Sequence, residues 1–182
     1  MAKSVSAAEV WRDDISWAEL RRGMGPKRLE ADEVARRAIA RFLELEVLSS
    51  FKGTVGAKPW LDGVDLFGHL EAKVTRVCGV SLEPFEQTIE EGFRVRVVPS
   101  GSSNIWVPPG GEDVSLDLDG DDPPEVLTGD RVDLAALLVE QLALALPPFP
   151  RKPGAVFESP DHDAPLSPFA ALAELGRRSS ED

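Results

Sequence analysis

The chain has 182 residues, of which 42% are hydrophobic and 29% are charged, and its formal net charge is −12. This length suffices for one domain with its own core, and the apolar content excludes an intrinsically disordered protein. No apolar run approaches the roughly 20 residues that a membrane-spanning helix needs. The stretch MAKSVSAAEVWRDD lacks the apolar segment of a secretory signal, and a single cysteine excludes an internal disulfide. We therefore expect a cytoplasmic protein with no membrane partner.

The acidic excess is concentrated in one part of the sequence. Residues 1–50 carry 9 acidic and 9 basic side chains, whereas residues 101–150 carry 10 acidic side chains and 1 basic one, Arg131. A field of this sign repels phosphate and attracts basic partners. A charge run is also typical of a solvated loop that aids solubility, so both interpretations stay open at this point.

The first elements in chain order are a short strand or extended arm and one helix. EVWRDDISW predicts the strand or arm, and GMGP predicts a break after it. ADEVARRAIARFLEL has helical spacing, with Asp32 as the N-cap and Glu33 four residues before Arg37 as a supporting ion pair. The apolar stripe expected to face the core consists of Val34, Ala35, Ala38, Ile39, Phe42 and Leu43.

Three segments of alternating apolar residues follow this helix. They are LEVLSSFKGTVGA, GVDLFGHLEAKVTRV and FEQTIEEGFRVRVVP. A sheet with one buried face and one solvent-exposed face is typically antiparallel. The short connections KPWLDG and CGVSLEP favour a three-strand meander. The residues expected to face inward are Leu45, Val47, Phe51, Val55, Ala57, Val64, Leu66, Leu70, Ala72, Val74, Phe85, Ile89, Phe93, Val95 and Val97. The residues expected to face outward on the middle strand are Asp65, His69, Glu71, Lys73 and Thr75.

A long polar segment separates the meander from the strongest predicted helix. Residues 99–125 exceed the usual loop length and are expected to form an acidic, mobile insertion loop. VDLAALLVEQLALALP then predicts a helix that Asp133 caps and Pro147 ends. The residues of this helix expected to face the core are Leu134, Leu137, Leu138 and Leu142.

The end of the sequence predicts one more short helix, in SPFAALAELG. Ser167 would be its N-cap and Pro168 its first helical residue, and residues 177–182 would form a frayed tail. Together these elements predict a single α+β domain over residues 1–176. An antiparallel sheet, consisting of the meander and extra strands, would pack against two main helices and the short C-terminal helix.

Cys78 is the only cysteine, and it lies at the turn between two predicted strands. A nucleophilic thiol needs a nearby base and a lowered pKa, but His69 lies far along the strand and His162 lies in an irregular arm. A structural zinc site needs four Cys or His ligands, and the sequence holds only three such residues in total. The sequence therefore favours a packed thiol that behaves as a small hydrophobic side chain.

The acidic run DLDGDD resembles the start of a calcium-binding loop. Asp117, Asp119 and Asp121 fit its first three acidic positions, but Gly120 falls at the fourth position and Thr128 at the twelfth, where the EF-hand needs glutamate. We therefore expect no dedicated metal site, no cofactor and no catalytic set. The acidic residues that could instead bind a basic partner are Asp117, Asp119, Asp121, Asp122 and Glu125.

One basic cluster precedes the predicted sheet, and acidic residues are interleaved with it. Direct RNA binding through this cluster is one interpretation, and a solvated helix face is the other. The candidate RNA-binding residues are Arg21, Arg22, Lys27, Arg28, Arg36, Arg37 and Arg41.

The order of landmarks resembles a known family. VCGVSLEPF is followed by a third strand, an acidic gap containing DDPPE, RVDLAALLVEQLALALPPFPRKPGA and SPFAALAEL. Over about residues 28–176 the chain resembles the YceD-like family, the large ribosomal RNA subunit accumulation proteins of bacteria and plastids. The resemblance is most specific at the VDL…E…LALALP…P helix and at PFAAL. The residues that match family motifs, with structural roles implied, are Cys78, Leu82, Glu83, Pro84, Phe85, Asp133, Leu134, Glu140, Leu144, Pro147, Pro150, Ser167, Pro168 and Phe169.

The chain departs from the family pattern at two places. Family members often carry C-x-x-C where this chain has Cys78 and Ser81, and further cysteines where RKPGAVFES has none. This chain therefore lacks the cysteines that a metal-binding ribbon would need, and it resembles a branch of the family with a C-x-x-(T/S)-L-E-P motif. The family prefers Asn-Pro-Phe where this chain has Ser167-Pro-Phe, and both residues are good N-caps.

The resemblance implies a role in making or retaining 23S ribosomal RNA during large-subunit assembly. The motif residues are mostly Leu, Pro and Phe, which suits packing and docking better than catalysis. The leading hypothesis is a non-enzymatic assembly factor whose acidic stretch, residues 112–133, binds a basic ribosomal protein or a large-subunit precursor. RNA binding through the basic cluster is the alternative, an RNA-processing enzyme is a third, and the oligomeric state is left open.

Overall fold

The computed structural model describes residues 11–105 and 122–157. The described residues form a five-stranded sheet, a two-stranded sheet and three helices. The mixed α+β content agrees with the prediction. The elements in chain order are β1 (Asp14–Ser16), α1 (Trp17–Leu20), β2 (Met24–Glu30), α2 (Glu33–Phe42), β3 (Val47–Trp60), β4 (Gly63–Val77), β5 (Pro84–Pro99), β6 (Glu125–Leu127), β7 (Arg131–Asp133) and α3 (Leu134–Ala145).

The meander β3-β4-β5 is antiparallel throughout and forms the centre of the large sheet. β2 adds an antiparallel edge strand next to β3. β6 adds the other edge, but it runs parallel to β5, which differs from the purely antiparallel sheet that we expected. A parallel pair needs a long crossover connection, and the segment between Pro99 and Glu125 provides it.

The start of the large sheet differs from the prediction in one respect. GMGP was expected to break the chain, but Met24, Gly25 and Pro26 belong to β2. Proline is tolerated on an edge strand because its missing N–H is not needed for the ladder there. The basic residues Lys27 and Arg28 therefore lie on the sheet itself and not before it.

Three apolar residues that we expected to face the core are exposed, two in α2 and one in β3. Ala35 and Ile39 of α2 are buried, whereas Val34 lies on the opposite side of the helix and is 68% exposed. Phe42, at the end of the helix, is 52% exposed. In β3 the register shifts between Leu48 and Ser50, so that Leu48 is buried and Val47 is exposed. Such a bulge reverses the alternation on one side of it.

The helix α3 follows its prediction closely. The Asp133 carboxylate accepts hydrogen bonds from the N–H groups of Ala135 and Ala136, and the helix ends at Ala145, two residues before Pro147. The same carboxylate also accepts from the N–H of Asp13, beside the β1–β7 ladder. The predicted inward residues Leu134, Leu137, Leu138 and Leu142 are all buried.

One face of the large sheet, called the inner face, forms the core with α2 and α3. The predicted inward residues of β4, from Val64 to Val74, are all buried. The alternate residues of β3, β4 and β5 point away from this core and form the outer face. This face carries the charged and aromatic side chains described below.

The expected 99–125 loop lies only partly within the described residues, and some other predictions lie wholly outside them. In the expected 99–125 loop, Glu125 begins β6, and Ser102 and Asn104 donate to the Asp62 carboxylate over 3.0 and 2.7 Å. Residues 106–121 of that loop lie outside the described residues, as do the tail 177–182 and the predicted last helix with Ser167, Pro168 and Phe169.

Candidate functional site

The turn at Cys78 joins β4 to β5, and the thiol is fully buried. The Cys78 N–H donates to the Glu83 carbonyl, and the Cys78 carbonyl accepts from the Leu82 N–H, both over 2.9 Å. These bonds close the turn. Leu82 adopts a left-handed backbone with φ of 58°.

Three backbone N–H groups donate to the Cys78 sulfur. They belong to Val80 and Ser81, at 3.4 Å each, and to Lys152, at 3.3 Å. The Lys152 N–H bond makes the largest contribution, followed by a hydrogen bond from the Ser81 side chain and then by the Ser81 and Val80 N–H bonds, and together they lower the pKa of the thiol to about 6, so the thiolate is favoured at neutral pH. The expectation of a packed thiol holds for its burial, but the sequence did not indicate that the sulfur would be an acceptor.

The Cys78 turn is also joined to the segment that follows α3. The Gly79 N–H donates to the Pro150 carbonyl over 2.9 Å, and the Lys152 ammonium pairs with the Glu83 carboxylate at 2.8 Å. The Arg76 guanidinium donates to the Pro147 carbonyl over 2.6 Å. The two motifs VCGVSLEPF and LALALPPFPRKPG therefore meet in space, although the sequence separates them by about 70 residues.

The other motif residues divide between the core and the surface. Phe85, Leu134 and the cap Asp133 take part in packing or capping. Leu82 and Leu144 are 76% and 75% exposed. The remaining exposed motif residues are Glu83, Pro84 and Glu140.

Acidic side chains gather beside the edge strand β6. Glu125, Glu140 and Asp133 line one cavity between β6 and α3. Burial and then the charge of Glu140 raise the pKa of Glu125. Asp122 precedes the strand and is exposed. We call Asp122, Glu125 and Glu140 the acidic edge; Asp117, Asp119 and Asp121 lie outside the described residues.

The basic cluster predicted for RNA binding is divided in the fold. Arg28 points to the outer face, since its neighbour Leu29 is buried in the core, whereas α2 packs against the inner face. Arg36 donates to the Ala31 carbonyl, and Arg37 pairs with Glu33. The other members are Arg21 and Arg22 after α1, Lys27 paired with Asp13, and Arg41 at the end of α2. The seven residues therefore do not form one surface.

The outer face holds a group of residues that the sequence reasoning missed. The Lys58 ammonium lies 4.8 Å from the centre of the Phe67 ring, and the Arg96 guanidinium lies 4.9 Å from the centre of the Trp60 ring. Arg94 is the cross-strand partner of Phe67. We call these five residues the aromatic platform. The one signal in the sequence was an aromatic residue, Phe67, at an outward position of an otherwise polar strand face.

A buried carboxylate positions the platform. Asp65 is 7% exposed, and it accepts two hydrogen bonds from Arg94 Nε, at 2.8 and 2.9 Å, and one from Arg94 Nη2, at 2.6 Å. A bidentate bond of this kind fixes both the position and the plane of the guanidinium. The side chain of Arg94 nevertheless stays 58% exposed.

The described part of the chain holds no group of three or more His, Cys, Asp or Glu side chains that could bind a metal ion. Within the same residues, no helix is both long and apolar enough to cross a membrane.

Comparison with known proteins gives one match. Residues 66–176 match the family model described as "Large ribosomal RNA subunit accumulation protein YceD". No curated protein matches the chain. No solved structure matches it either.

Proposed function

The chain belongs to the YceD family of large ribosomal RNA subunit accumulation proteins, whose model matches residues 66–176, and from this membership we propose that it acts as a non-enzymatic factor in large-subunit assembly. The family name implies the role in accumulation of the large-subunit ribosomal RNA. The finer proposal is that the protein works in the cytoplasm by binding a basic ribosomal protein on a precursor of the large subunit.

The observation that carries this proposal is the grouping of carboxylates at the acidic edge, where Glu125 and Glu140 line one cavity between β6 and α3. The pKa of Glu125 is raised by burial and by the neighbouring charge of Glu140. A cationic side chain placed between the two carboxylates would replace the solvation that burial removes and offset the charge of Glu140, which favours a basic partner. The wider stretch 112–133 supports this with 9 acidic residues and 1 basic residue, Arg131.

The geometry of β6 adds a second argument. β6 is an edge strand of three residues, and only β5 pairs with it in the described sheet. An exposed edge strand presents unpaired backbone groups to which an extended segment of a partner can add. A basic extension of a ribosomal protein would then gain main-chain hydrogen bonds as well as ion pairs.

RNA binding through the predicted basic cluster has less support. Its residues lie on two faces of the fold, and Lys27, Arg28 and Arg37 already form ion pairs with neighbouring carboxylates. Exposed ion pairs of this kind are weak, but they reduce the positive field that would attract phosphate.

A pull-down with the tagged full chain tests the proposal. We expect a basic large-subunit ribosomal protein to be retained at low salt and released at high salt, because exposed charges are screened over a few ångströms in about 1 M salt. The double variant Glu125→Gln with Glu140→Gln should retain less of it, whereas Glu46→Gln, an exposed acid before β3, should behave as the wild type.

Sedimentation of cell extracts provides the second readout. The wild-type protein should travel with particles smaller than the mature large subunit, and the double variant should remain near the top of the gradient. If no basic ribosomal protein is retained at low salt, or if both variants retain it equally, the acidic edge is not the docking surface.

A further inference from the structure

Exposed apolar side chains lie close together where the Cys78 turn meets the segment after α3. Of the eleven large apolar side chains that are exposed in the described residues, five belong to residues 77–82 or 147–157. Leu82 and Phe149 are 76% and 85% exposed. Single exposed apolar residues are ordinary on a soluble protein, whereas a group of them on one surface marks a binding site. We call this group the apolar cluster, and it consists of Val77, Leu82, Phe149, Val156 and Phe157.

Hydrogen bonds hold the two stretches of the apolar cluster together. The Gly79 N–H donates over 2.9 Å to the carbonyl of Pro150, the residue that follows Phe149. Two residues later, the Lys152 N–H donates to the Cys78 sulfur over 3.3 Å. The two stretches therefore form one surface whose geometry the backbone fixes.

A tight turn places the last two members of the cluster close to Lys152. The Ala155 N–H donates to the Lys152 carbonyl over 3.0 Å, and Gly154 has a φ of 78°, in the left-handed region that favours glycine. Val156 and Phe157 follow this turn and are 79% and 68% exposed. The chain therefore leaves the described residues from within the cluster.

The sequence beyond the cluster contains an apolar segment. The stretch SPFAALAELG, residues 167–176, is predicted as a short helix and lies outside the described residues. At 3.6 residues per turn, a helix would carry Phe169, Leu172 and Leu175 on one face and Glu174 on the opposite face. Isolated helices shorter than roughly 12–15 residues are marginal in water, so this one needs an apolar surface to pack against.

The length of chain between the two parts allows the predicted helix to return to the cluster. Nine residues, 158–166, separate Phe157 from Ser167. Fully extended, they span roughly 30 Å, which exceeds the length of the helix itself. A segment on so short a linker has an effective concentration in the millimolar range, so it occupies the surface ahead of a free partner of equal affinity.

We propose that the apolar cluster binds residues 167–176 of the same chain as a docked helix. The face with Phe169, Leu172 and Leu175 covers Leu82 and Phe149. The helix then packs on the turn where the motifs VCGVSLEPF and LALALPPFPRKPG meet. This contact goes beyond the proposed function and does not depend on it.

Hydrogen exchange of the full chain, measured by mass spectrometry, tests this inference. We expect the amides of residues 169–175 to be protected in the wild type, because a docked helix shields its N–H groups. Leu82→Ser removes apolar surface from the cluster and should speed their exchange by roughly 10-fold or more. Leu61→Ser is the matched control, because Leu61 is 67% exposed and, like Leu82, has a left-handed backbone in a turn between two strands.

Variants of the terminal stretch provide the reciprocal test. Phe169→Ser should raise the exchange of the same amides by a similar factor, roughly 10-fold. Glu174→Gln changes the opposite face of the predicted helix and should exchange as the wild type. Protection should be the same at every protein concentration, because the docking occurs within one chain.

Three results would overturn the inference. They are unprotected amides over residues 169–175 in the wild type, equal exchange in Leu82→Ser and Leu61→Ser, and protection that rises with protein concentration, which would assign the cluster to a second copy of the chain. Circular dichroism of each variant confirms that it is folded. A failed pull-down at the acidic edge would remove the proposed protein partner and leave the exchange results unchanged, so the two failures are distinguishable.

Discussion

Leu138 should be among the residues that contribute most to the stability of the fold. It is fully buried on α3, and a Cβ atom built on Gly53 of β3 would lie 2.7 Å from Leu138 Cδ2 and 3.1 Å from Cδ1. The side chain therefore rests on the bare backbone of Gly53. Leu138→Ala should lower the free energy of unfolding by about 2–5 kcal/mol, from lost burial and from the cavity that the substitution leaves.

The contact with Gly53 allows a sharper test by a double-mutant cycle. Gly53→Ala alone inserts a methyl group into Leu138 and should cost about 1–3 kcal/mol through overpacking. In the double variant the new methyl group enters the space vacated by the leucine. The loss of stability in the double variant should therefore be smaller than the sum of the two single losses by about 0.5–3 kcal/mol. Part of the strain should remain, because the His69 carbonyl oxygen lies 3.0 Å from the built Cβ atom.

Urea denaturation followed by circular dichroism measures all four members of the cycle. Leu144→Ala is the matched control, because Leu144 lies on the same helix and is 75% exposed; its change should stay within about 0.5 kcal/mol. A loss below about 1 kcal/mol for Leu138→Ala would remove this residue from the core. Simple additivity of the two substitutions would refute the contact between α3 and Gly53.

Two further predictions concern the hydrogen bonds of the fold. Because the folded-state pKa of Cys78 is lowered to about 6, its thiolate adds stability that is fully present above the ordinary thiol pKa and is lost as the pH falls through 6. The wild type should therefore gain stability over Cys78→Ser between about pH 6 and 9, and equal pH profiles in urea denaturation would contradict the stabilisation of the thiolate by its hydrogen bonds. Asp133→Ala removes the acceptor of three N–H groups, those of Asp13, Ala135 and Ala136. In the same assay it should lower the free energy of unfolding by about 2 kcal/mol, the upper end for loss of a helix cap. A loss below about 0.5 kcal/mol would show that the cap is dispensable.

The parts of the fold that follow local patterns could be predicted from the sequence. The period-two alternation of β4 places Val64, Leu66 and Leu70 in the core because each strand face repeats every two residues. The cap Asp133 and the stop at Pro147 likewise act on neighbouring backbone groups. Such signals are local, so one sequence is enough to read them.

The features that depend on pairing between distant segments could not be predicted. β6 has three residues, too few for an alternation, and its parallel direction depends on the path of the segment before it. The pair of Trp60 with Arg96 depends on the register of two ladders. The N–H bond from Lys152 to the Cys78 sulfur joins residues 74 positions apart. The sequence therefore predicted the core better than it predicted the candidate sites.

The bond from the Asp13 N–H to the Asp133 carboxylate has a consequence for synthesis. The two residues are 120 positions apart, so during translation at roughly 5–20 residues per second the earlier segment must wait about 6–24 s for its partner. The central meander can pair long before that. A nascent chain should therefore hold a formed sheet with an undocked leading arm, and the arm should attach only once the residues of α3 have left the exit tunnel.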